Sequence, residues 1–277
     1  MSEKIEIDIP DKLLGELDAM IDGVSIKTRR QAIESILDRS ITGGKVKKAV
    51  ILAGGRGTRM RPFTYELPKP LIPVQGKPLI QHTLDLLMKY NIREIIFSVG
   101  YLGDKIKEYF GNGNKFGMKI SYVEEDEALG TAGPLNLMKE KLKESFIMFN
   151  GDILANIDLF DFIKFHTRHG GLATIALKSI PDPSRYGTVK MEGSIITQFM
   201  EKPQEQLKHG LINAGVYVME PEVIDYIPKG RVMMEDEVFP RLAEEGKLYG
   251  YPFRGQWLDT GTHKSYEKAI KEWNPLG

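Results

Sequence analysis

A strand that runs straight into a glycine-rich, basic turn is the feature of this sequence that most constrains its fold. The apolar run Lys48–Leu52 (KAVIL) is typical of a buried strand. Gly54, Gly55 and Gly57 follow it, and glycines let the backbone approach a ligand and point its amides at phosphate. Four cations lie in or after the turn, namely Arg56, Arg59, Arg61 and Lys69. The pattern favours an anion-binding turn over a tight turn with solvated arginines.

Two well-known phosphate-binding turns do not fit this stretch. No Gly-Lys-Ser/Thr follows at the distance that a Walker loop requires. Met60 stands where the third glycine of a dinucleotide-binding turn belongs. The turn therefore belongs to another class of nucleotide or phosphate site.

Strands and helices alternate after this turn. A helix is predicted over 78–90 and another over 135–142, and strands over 94–99, 119–123 and 146–149. Beyond residue 170 the predicted elements are mainly strands, at 172–177, 187–191, 195–199 and 213–219. We expect an α/β fold over 45–277, with a doubly wound, largely parallel sheet that continues into a mixed extension.

Composition narrows the possible environments. The 277 residues carry a formal net charge of +0 and no cysteine, which excludes disulfides, thiolate metal sites and a cysteine nucleophile. The start MSEKIEIDIP is charged and alternating, unlike an apolar signal segment. No apolar run approaches the roughly 18 residues of a membrane span. We expect a soluble, cytoplasmic protein.

Residues 1–44 form a separate segment that ends at Gly43 and Gly44. Ile5, Ile7 and Ile9 alternate with charged residues, which predicts a strand, and two helices follow at apolar 3.6-residue spacing. This order resembles the ribbon-helix-helix fold, in which two strands pair between subunits. The segment is too small to form a core easily by itself, so we expect it to mediate homo-oligomer formation. A nucleotide-sugar-sensing DNA-binding regulator is the alternative from a different functional class.

Acidic side chains of the segment argue against DNA. If the three isoleucines face inward, the outer face carries Lys4, Glu6 and Asp8. The segment has six Lys and Arg against nine Asp and Glu, a net of −3, where a DNA reader needs cations against phosphates. Arg29 and Arg30 could still touch phosphate, so DNA binding remains the less favoured alternative.

Two aspartates stand at the ends of strands. Asp152 follows the predicted strand 146–149, and Asp259 lies in WLDTGTH, 257–263. Ligands of open α/β sheets bind at the carboxyl ends of the strands, but either aspartate could instead cap a following helix. Glu201 and Lys202, beside Pro203, allow a similar choice between a ligand site and a surface ion pair. The five histidines show no metal-binding spacing.

The stretch Leu52–Pro78 resembles the signature of the sugar-1-phosphate nucleotidylyltransferases, LAGGxGTRLxPxTxxxPKPLxPVxxKP, with Met60 and Phe63 as minor departures. The resemblance implies a Rossmann-like nucleotide-diphospho-sugar transferase fold. It also implies transfer of a nucleoside monophosphate from NTP to a sugar 1-phosphate, with release of pyrophosphate. The nucleotide-binding residues that it implies are Leu52, Ala53, Gly54, Gly55, Gly57, Thr58, Arg59, Lys69, Gly130 and Thr131.

Later segments resemble the family in the same order along the chain. They imply a sugar-phosphate site formed by Tyr186, Gly187, Glu201, Lys202, Asn213 and Ala214. They also imply that Asp152 and Asp259 bind Mg²⁺, for which carboxylates are the fitting ligands. The catalytic set implied is Arg59, Lys69, Asp152 and Lys202.

The substrate pair is predicted only from likeness between short segments. LGTAGPL, SRYGTV, INAGVYV and residues 235–251 resemble mannose-1-phosphate guanylyltransferases, whereas WLDTGTH resembles glucose-1-phosphate thymidylyltransferases. We therefore expect GTP with mannose 1-phosphate, and the alternative is a thymidylyl- or uridylyltransferase acting on glucose 1-phosphate.

Overall fold

Two units make up the chain, one over residues 1–44 and the other over residues 45–277. The structure is a computed structural model and describes residues 6–24, 26–43, 46–203 and 208–275. Within these ranges no helix is long and apolar enough to cross a membrane.

The first unit contains two helices, α1 (Asp11–Ala19) and α2 (Arg29–Gly43). Thr28 caps α2, because its hydroxyl accepts the backbone N–H of Gln31 at 3.2 Å. The Arg29 guanidinium donates to both carboxylate oxygens of Asp18, at 2.6 and 2.7 Å. This bidentate pair ties the start of α2 to α1.

The predicted N-terminal strand is absent from residues 6–9 of the single chain. Ile5 lies outside the described residues, and Ile7 is 72% exposed. A strand needs a neighbouring strand to take up its backbone N–H and C=O groups, and the sheets of the described residues do not include residues 6–9. The ribbon-helix-helix arrangement therefore stays a prediction.

The second unit contains thirteen strands and six α-helices within its described residues. The strands are β1 (Lys48–Leu52), β2 (Pro73–Val74), β3 (Lys77–Pro78), β4 (Glu94–Val99), β5 (Lys119–Glu124), β6 (Phe146–Asn150), β7 (Ile153–Ala155), β8 (Ala173–Pro181), β9 (Thr188–Glu192), β10 (Ile195–Met200), β11 (His209–Met219), β12 (Leu248–Pro252) and β13 (Trp257–Asp259). The helices are α3 (Leu79–Lys89), α4 (Gly103–Phe110), α5 (Gly133–Met138), α6 (Leu159–His169), α7 (Phe239–Glu244) and α8 (His263–Glu272).

Nine of these strands form one sheet in the order β5-β4-β1-β6-β11-β8-β12-β10-β9. The first four run parallel, and β11 is antiparallel to both β6 and β8. Alternate side chains of β1 enter different core clusters, Ala49 and Ile51 one and Val50 the other. Burial on both faces is what a parallel sheet requires. The expected parallel sheet with a mixed extension is therefore present.

Helix α5 departs from its prediction in position. It begins at Gly133 and ends at Met138, whereas the spacing predicts 135–142. Pro134 stands in its first turn, where the fixed φ of proline favours helix and the missing N–H costs nothing.

A separate two-stranded ladder connects distant parts of the chain. Strand β13 pairs antiparallel with β7, and Asp259 lies opposite Ile153. Beyond the ladder, the Thr260 backbone N–H donates to the Asp152 carbonyl at 3.0 Å. The ladder thus places the predicted acidic residues side by side.

Candidate active site

A cavity of about 410 Å³ opens at the carboxyl ends of β1 and β6, where α/β sheets bind ligands. All ten predicted nucleotide-binding residues and Asp152 line it. It is also lined by Pro70, Glu125, Ala128, Asn150, Gly151, Arg231, Met233 and Gly261. The structure thus gathers segments that are far apart in sequence into one cleft.

Of the three glycines in the turn, Gly57 is the one whose backbone conformation favours glycine. Gly57 has φ of 58°, in the left-handed region that favours glycine. Its carbonyl accepts the Thr64 hydroxyl at 2.8 Å. Across the cleft, a Cβ on Gly151 would lie 2.2 Å from the Leu52 carbonyl oxygen, so β1 and the residues after β6 can approach only because position 151 has no side chain.

Only two of the four cations predicted beside the turn line the cleft. Arg59 and Lys69 do so, whereas Arg56 and Arg61 do not. The Arg61 guanidinium lies 4.9 Å from the centre of the Tyr65 ring instead, a cation–π contact that holds it on the surface loop. The cationic character of the cleft at this turn therefore comes from Arg59 and Lys69.

Lys69 and Asp152 form an ion pair inside the cleft. The Lys69 ammonium donates to Asp152 Oδ2 at 2.7 Å, and the lysine is only 8% exposed. Burial opposes ionisation of Asp152, but the charge and hydrogen bond of Lys69 and the charge of Arg59 hold the pKa of its carboxyl below the ordinary value. Asp152 is thus ionised at neutral pH. An ammonium has three donors, so Lys69 keeps two for another anion.

The electrostatic environment of Asp259 differs from that of Asp152. Its Oδ1 accepts the Gly261 backbone N–H at 2.6 Å, and its Oδ2 accepts the Tyr186 hydroxyl at 3.3 Å. Burial and the negative charge of Asp152 raise the pKa of the Asp259 carboxyl above its ordinary value. Two close carboxylates with a net repulsion, both presenting hard oxygen donors, form a set suited to a divalent cation.

The capping roles considered for the two aspartates are wrong. Asp152 is followed by β7 rather than by a helix. Helix α8 is capped by Thr262, whose side chain accepts the Ser265 N–H in a capping box. Neither carboxylate is needed to begin a helix, so both are available for a ligand.

The six predicted sugar-phosphate residues lie beside Asp259 and along β11 rather than in the lining of the main cavity. The Gly187 carbonyl accepts the Asn213 N–H at 2.8 Å, and the Ala214 carbonyl accepts the Trp257 indole N–H at 2.9 Å. A Cβ on Gly187 would lie 2.9 Å from Glu201 Oε2. Tyr186, Gly187, Asn213 and Ala214 thus form one wall, and Glu201 reaches it.

Glu201 and Lys202 pair with each other. Lys202 Nζ lies 2.6 Å from Glu201 Oε1, and the side chains are 64% and 24% exposed respectively. Lys202 has φ of 46°, an uncommon conformation for a residue with a Cβ. The pair is partly exposed, so its ammonium is accessible to a ligand.

Four residues that line the cleft are not predicted from the sequence as ligand-binding residues. Glu125 follows β5, so the carboxyl-end argument used for Asp152 also applies to it. Asn150 belongs to the NGD segment, and its Oδ1 is the one buried side-chain polar atom without a hydrogen-bond partner among the described residues. Arg231 and Met233 lie in a loop whose sequence carries no recognisable signal.

Comparison with known proteins decides the family. The profile of the nucleotidyl transferase family matches residues 48–274. The chain belongs to the nucleotidyl transferase family. The resemblance found in the sequence is thereby confirmed.

The relatives of this nucleotidyl transferase include mannose-1-phosphate guanylyltransferases. The catalytic subunit beta of that enzyme from Danio rerio is 40% identical over 225 residues, which are 79% of this chain and 62% of the relative. A probable mannose-1-phosphate guanylyltransferase 2 from Oryza sativa subsp. japonica is 38% identical over 231 residues, covering 81% and 64%. The chain thus spans somewhat over six tenths of the length of these relatives.

Solved structures confirm the predicted fold of the second unit. A putative glucose-1-phosphate thymidylyltransferase from Bacillus anthracis, in complex with a sucrose, matches with a TM-score of 0.75 and 29% identity, covering 83% of this chain and 97% of that one. HddC from Yersinia pseudotuberculosis, complexed with GMP-PN, matches with a TM-score of 0.71 and 26% identity, covering 83% and 100%.

The repulsion at Asp259 predicts that Asp259→Asn stabilises the nucleotidyl transferase at neutral pH in EDTA. The raised pKa means that the folded protein disfavours the ionised carboxylate, and the neutral amide removes this cost. A gain of 1 kcal/mol would raise the Tm by roughly 2–4 °C for a domain of this size. The gap should close on acidification through the raised pKa, because wild-type Asp259 then becomes neutral. An equal or lower Tm for Asp259→Asn at neutral pH would contradict the repulsion.

Proposed function

We propose that this chain transfers a nucleoside monophosphate from GTP to mannose 1-phosphate, giving GDP-mannose and pyrophosphate. The observation that carries the proposal is the cleft itself, in which Arg59, Lys69, a glycine-rich turn and Asp152 converge, with Asp259 close enough to feel the charge of Asp152. Such a site suits phosphoryl transfer, which depends mostly on alignment and charge stabilisation.

In this mechanism no side chain acts as a nucleophile. A phosphate oxygen of the sugar phosphate attacks the α-phosphorus of the nucleotide in line, the bond to the β-phosphate oxygen breaks, and pyrophosphate leaves. We assign Arg59 and Lys69 to the β- and γ-phosphates, where negative charge accumulates as the bond breaks. The amides of Gly54, Gly55, Gly57 and Thr58 would add neutral donors. Arg231, which also lines the cleft, is a further cation that could contact the nucleotide.

Asp152 and Asp259 would hold the Mg²⁺ ion that the family resemblance implies. The donor set fits, because two hard carboxylates lie together. Asp152 is ionised, and burial and the charge of Asp152 raise the pKa of Asp259. When bound, the ion supplies charge neutralisation at the phosphate oxygens. The chain itself holds the Asp152 carboxylate in place through Lys69.

The wall beside Asp259 would receive the sugar phosphate. Lys202 would bind the phosphate, and Glu201 would accept hydrogen bonds from sugar hydroxyls. Tyr186, Gly187, Asn213 and Ala214 would position the ring. The wall meets the nucleotide cleft at Asp259, through the hydroxyl of Tyr186, so the two substrates would approach each other at the carboxylate pair.

Support for the substrate pair comes from the relatives. Those that are 37–40% identical carry mannose-1-phosphate guanylyltransferase names, whereas the structure with a thymidylyltransferase name is 29% identical. We therefore favour GTP with mannose 1-phosphate over dTTP or UTP with glucose 1-phosphate.

A pyrophosphate-release screen tests the substrate pair. GTP, dTTP, UTP, ATP and CTP are each combined with mannose, glucose and N-acetylglucosamine 1-phosphate. We expect GTP with mannose 1-phosphate to give the highest kcat/KM, by at least about tenfold, which corresponds to 1.4 kcal/mol of selectivity. A higher kcat/KM for dTTP or UTP with glucose 1-phosphate would overturn the substrate pair and leave nucleotidyl transfer intact.

The metal proposal predicts that Asp152→Asn lowers kcat by roughly 100-fold or more, because a carboxylate ligand is lost and charge stabilisation with it. EDTA should abolish turnover by the wild type, and Mg²⁺ should restore it. Asp126→Asn, in an exposed loop outside the cleft, is the matched control and should retain activity. Circular dichroism checks that both variants are folded. Full activity of Asp152→Asn, or of wild type in EDTA, would exclude the mechanism.

We also propose that the first unit pairs with a second copy of itself. Over residues 6–24 and 26–37, Leu17 and Ala32 are the only buried residues, so this part of the unit has almost no core. Large apolar side chains are instead exposed on its surface, namely Ile7, Leu13, Val24, Ile36 and Leu37. A twofold-related copy would cover these apolar side chains on both subunits.

Deleting residues 1–43 should therefore reduce the mass of the oligomer in light scattering while activity persists, because the cleft belongs to the second unit. The full-length variant Ile7→Asp should do the same without truncation, since it places a charge in the apolar interface. An unchanged mass in both would contradict the proposal. Salt-sensitive, submicromolar binding of the intact protein to duplex DNA would support the regulator alternative instead.

A further inference from the structure

His82 is a buried histidine outside the cleft that the proposed mechanism does not use. It lies on α3 and is 5% exposed. Its Nε2 lies 2.9 Å from the Val74 carbonyl oxygen, and its Nδ1 lies 3.3 Å from the indole nitrogen of Trp273. A carbonyl oxygen can only accept a hydrogen bond, and an indole N–H can only donate one. These two partners therefore fix the neutral tautomer of His82 that carries its hydrogen on Nε2.

Trp273 is the residue at which α8 ends. Its ring packs edge-on against the His82 imidazole, with the ring centres 5.8 Å apart, and only 3% of the residue is exposed. It belongs to the smallest of the three core clusters within the described residues, which we call the α8 cluster. The members of this cluster are Val74, Leu79, Leu154, Leu258, Ala269 and Trp273. The cluster thus joins α8 to the β2–β3 hairpin, to the start of α3 and to the β7–β13 ladder.

The α8 cluster supports the ladder that places the two acidic residues of the cleft. Leu154 and Leu258 are paired in the ladder, and Asp259 is the next residue after Leu258. Because both leucines are buried in this cluster, the position of the ladder depends on the packing of α8.

The other polar contacts between α8 and the β2–β3 hairpin are insensitive to mild acid. The Tyr266 hydroxyl donates to the Pro73 carbonyl at 2.7 Å, and the Gln75 side chain donates to the Ile270 carbonyl. Burial raises the pKa of the Tyr266 hydroxyl, and an amide does not titrate, so neither group changes charge near neutral pH. His82 differs from both, because a histidine can gain a proton in this range.

Protonation would reverse the hydrogen-bonding role of His82 Nδ1. Both nitrogens of an imidazolium are donors, so the added hydrogen would point at the indole N–H of Trp273 instead of leaving a lone pair for it. The Val74 carbonyl would keep its bond to Nε2, because that nitrogen donates in both states. The contact with Trp273 is therefore the one that a proton breaks.

The charges around His82 do not offset this effect. Burial lowers the pKa of His82, and the bond to the Val74 carbonyl opposes the change in part. Asp85 raises this pKa and Lys77 lowers it, and the two side chains form an ion pair with each other at 2.7 Å. On α8, the charged residues Lys271 and Glu272 next to Trp273 pair within their own helix.

We propose that the His82–Trp273 contact is an acid-sensitive latch, which holds the end of α8 on the α8 cluster while the imidazole is neutral and releases it when Nδ1 gains a proton. Release of Trp273 would remove packing from Leu154 and Leu258. Acidification would then loosen the carboxylate pair of the cleft while the nine-stranded sheet stays folded. This latch is independent of which nucleotide and which sugar phosphate the cleft binds.

The lowered pKa of His82 sets the direction of the pH dependence. A released imidazole has an ordinary pKa of about 6.5, whereas the pKa of the packed imidazole is lower. The stability that the latch contributes is therefore complete above roughly pH 6.5 and is lost as the pH falls from there through the pKa of the packed state. Within this window, one proton changes the ratio of open to closed latch by at most about tenfold per pH unit.

Hydrogen exchange of the full chain tests the latch. We expect the protection of the α8 amides, divided by that of the α6 amides, to fall roughly fivefold or more between about pH 7.5 and about pH 5.5. Helix α6 is the reference because it packs in a different core cluster. In His82→Gln, which cannot titrate, the ratio should change by less than about twofold.

Two further variants separate the latch from other effects of acid. Trp273→Phe keeps a ring in the α8 cluster but removes the indole donor, so its fall in protection should be at least about twofold smaller than that of the wild type. His263→Gln, at the exposed first position of α8, is the matched control and should retain the wild-type response. Trp273 is one of two tryptophans, and its release should shift the emission of the wild type reversibly to longer wavelength on acidification.

The wild-type measurement can overturn the latch without any variant. Protection of α8 that stays constant relative to α6 down to about pH 5.5 would show that acid does not release the helix. An equal fall in His82→Gln and the wild type would assign the effect to another titrating group. A full response in Trp273→Phe would exclude the opposed donors as its cause and would equally refute the proposal.

Discussion

The carboxylate pair of Asp152 and Asp259 is the constraint on which the rest of the cleft depends. Two like charges do not stay close in a partly buried site unless other groups hold them. Here the β7–β13 ladder fixes the backbones, and Lys69 forms an ion pair with Asp152. Among the described residues Asp259 receives a backbone N–H and a tyrosine hydroxyl as donors, so its charge remains the less stabilised of the two.

The sheet explains why distant motifs meet. The parallel order β5-β4-β1-β6 aligns four carboxyl ends along one edge, so the residues after each strand share a cleft. The antiparallel strand β11 next to β6 then carries Asn213 and Ala214 to the adjoining wall. A chain of parallel strands alone would place only loops there. The mixed topology thus lets one sheet present both a loop-lined cleft and a strand-lined wall.

Much of this arrangement is predictable from the sequence, for local reasons. The bounds of β1 and β4 follow from apolar runs between turn residues, and the ligand-binding edge follows from strand order. The pairing of Lys69 with Asp152 is not predictable in the same way, because it joins residues 83 positions apart. The spacing of residues in the sequence also does not show which of the four cations near the glycine-rich turn line the cleft. The Arg61 side chain lies on Tyr65, a contact set by tertiary packing. The strand predicted near Ile7 has the right pattern, but residues 6–9 are not part of a strand in the described structure.

Gly54 shows how the glycine-rich turn and Glu125 are coupled. It is not one of the glycines with positive φ, so backbone conformation does not explain its lack of a side chain. A Cβ at this position would lie 2.6 Å from Glu125 Oε1. The absence of a side chain at position 54 therefore leaves room for the Glu125 carboxylate. A side chain there would displace this carboxylate from the Ser98 hydroxyl and the Leu129 N–H. The glycine-rich turn and the loop after β5 consequently depend on each other for their packing at the end of β1.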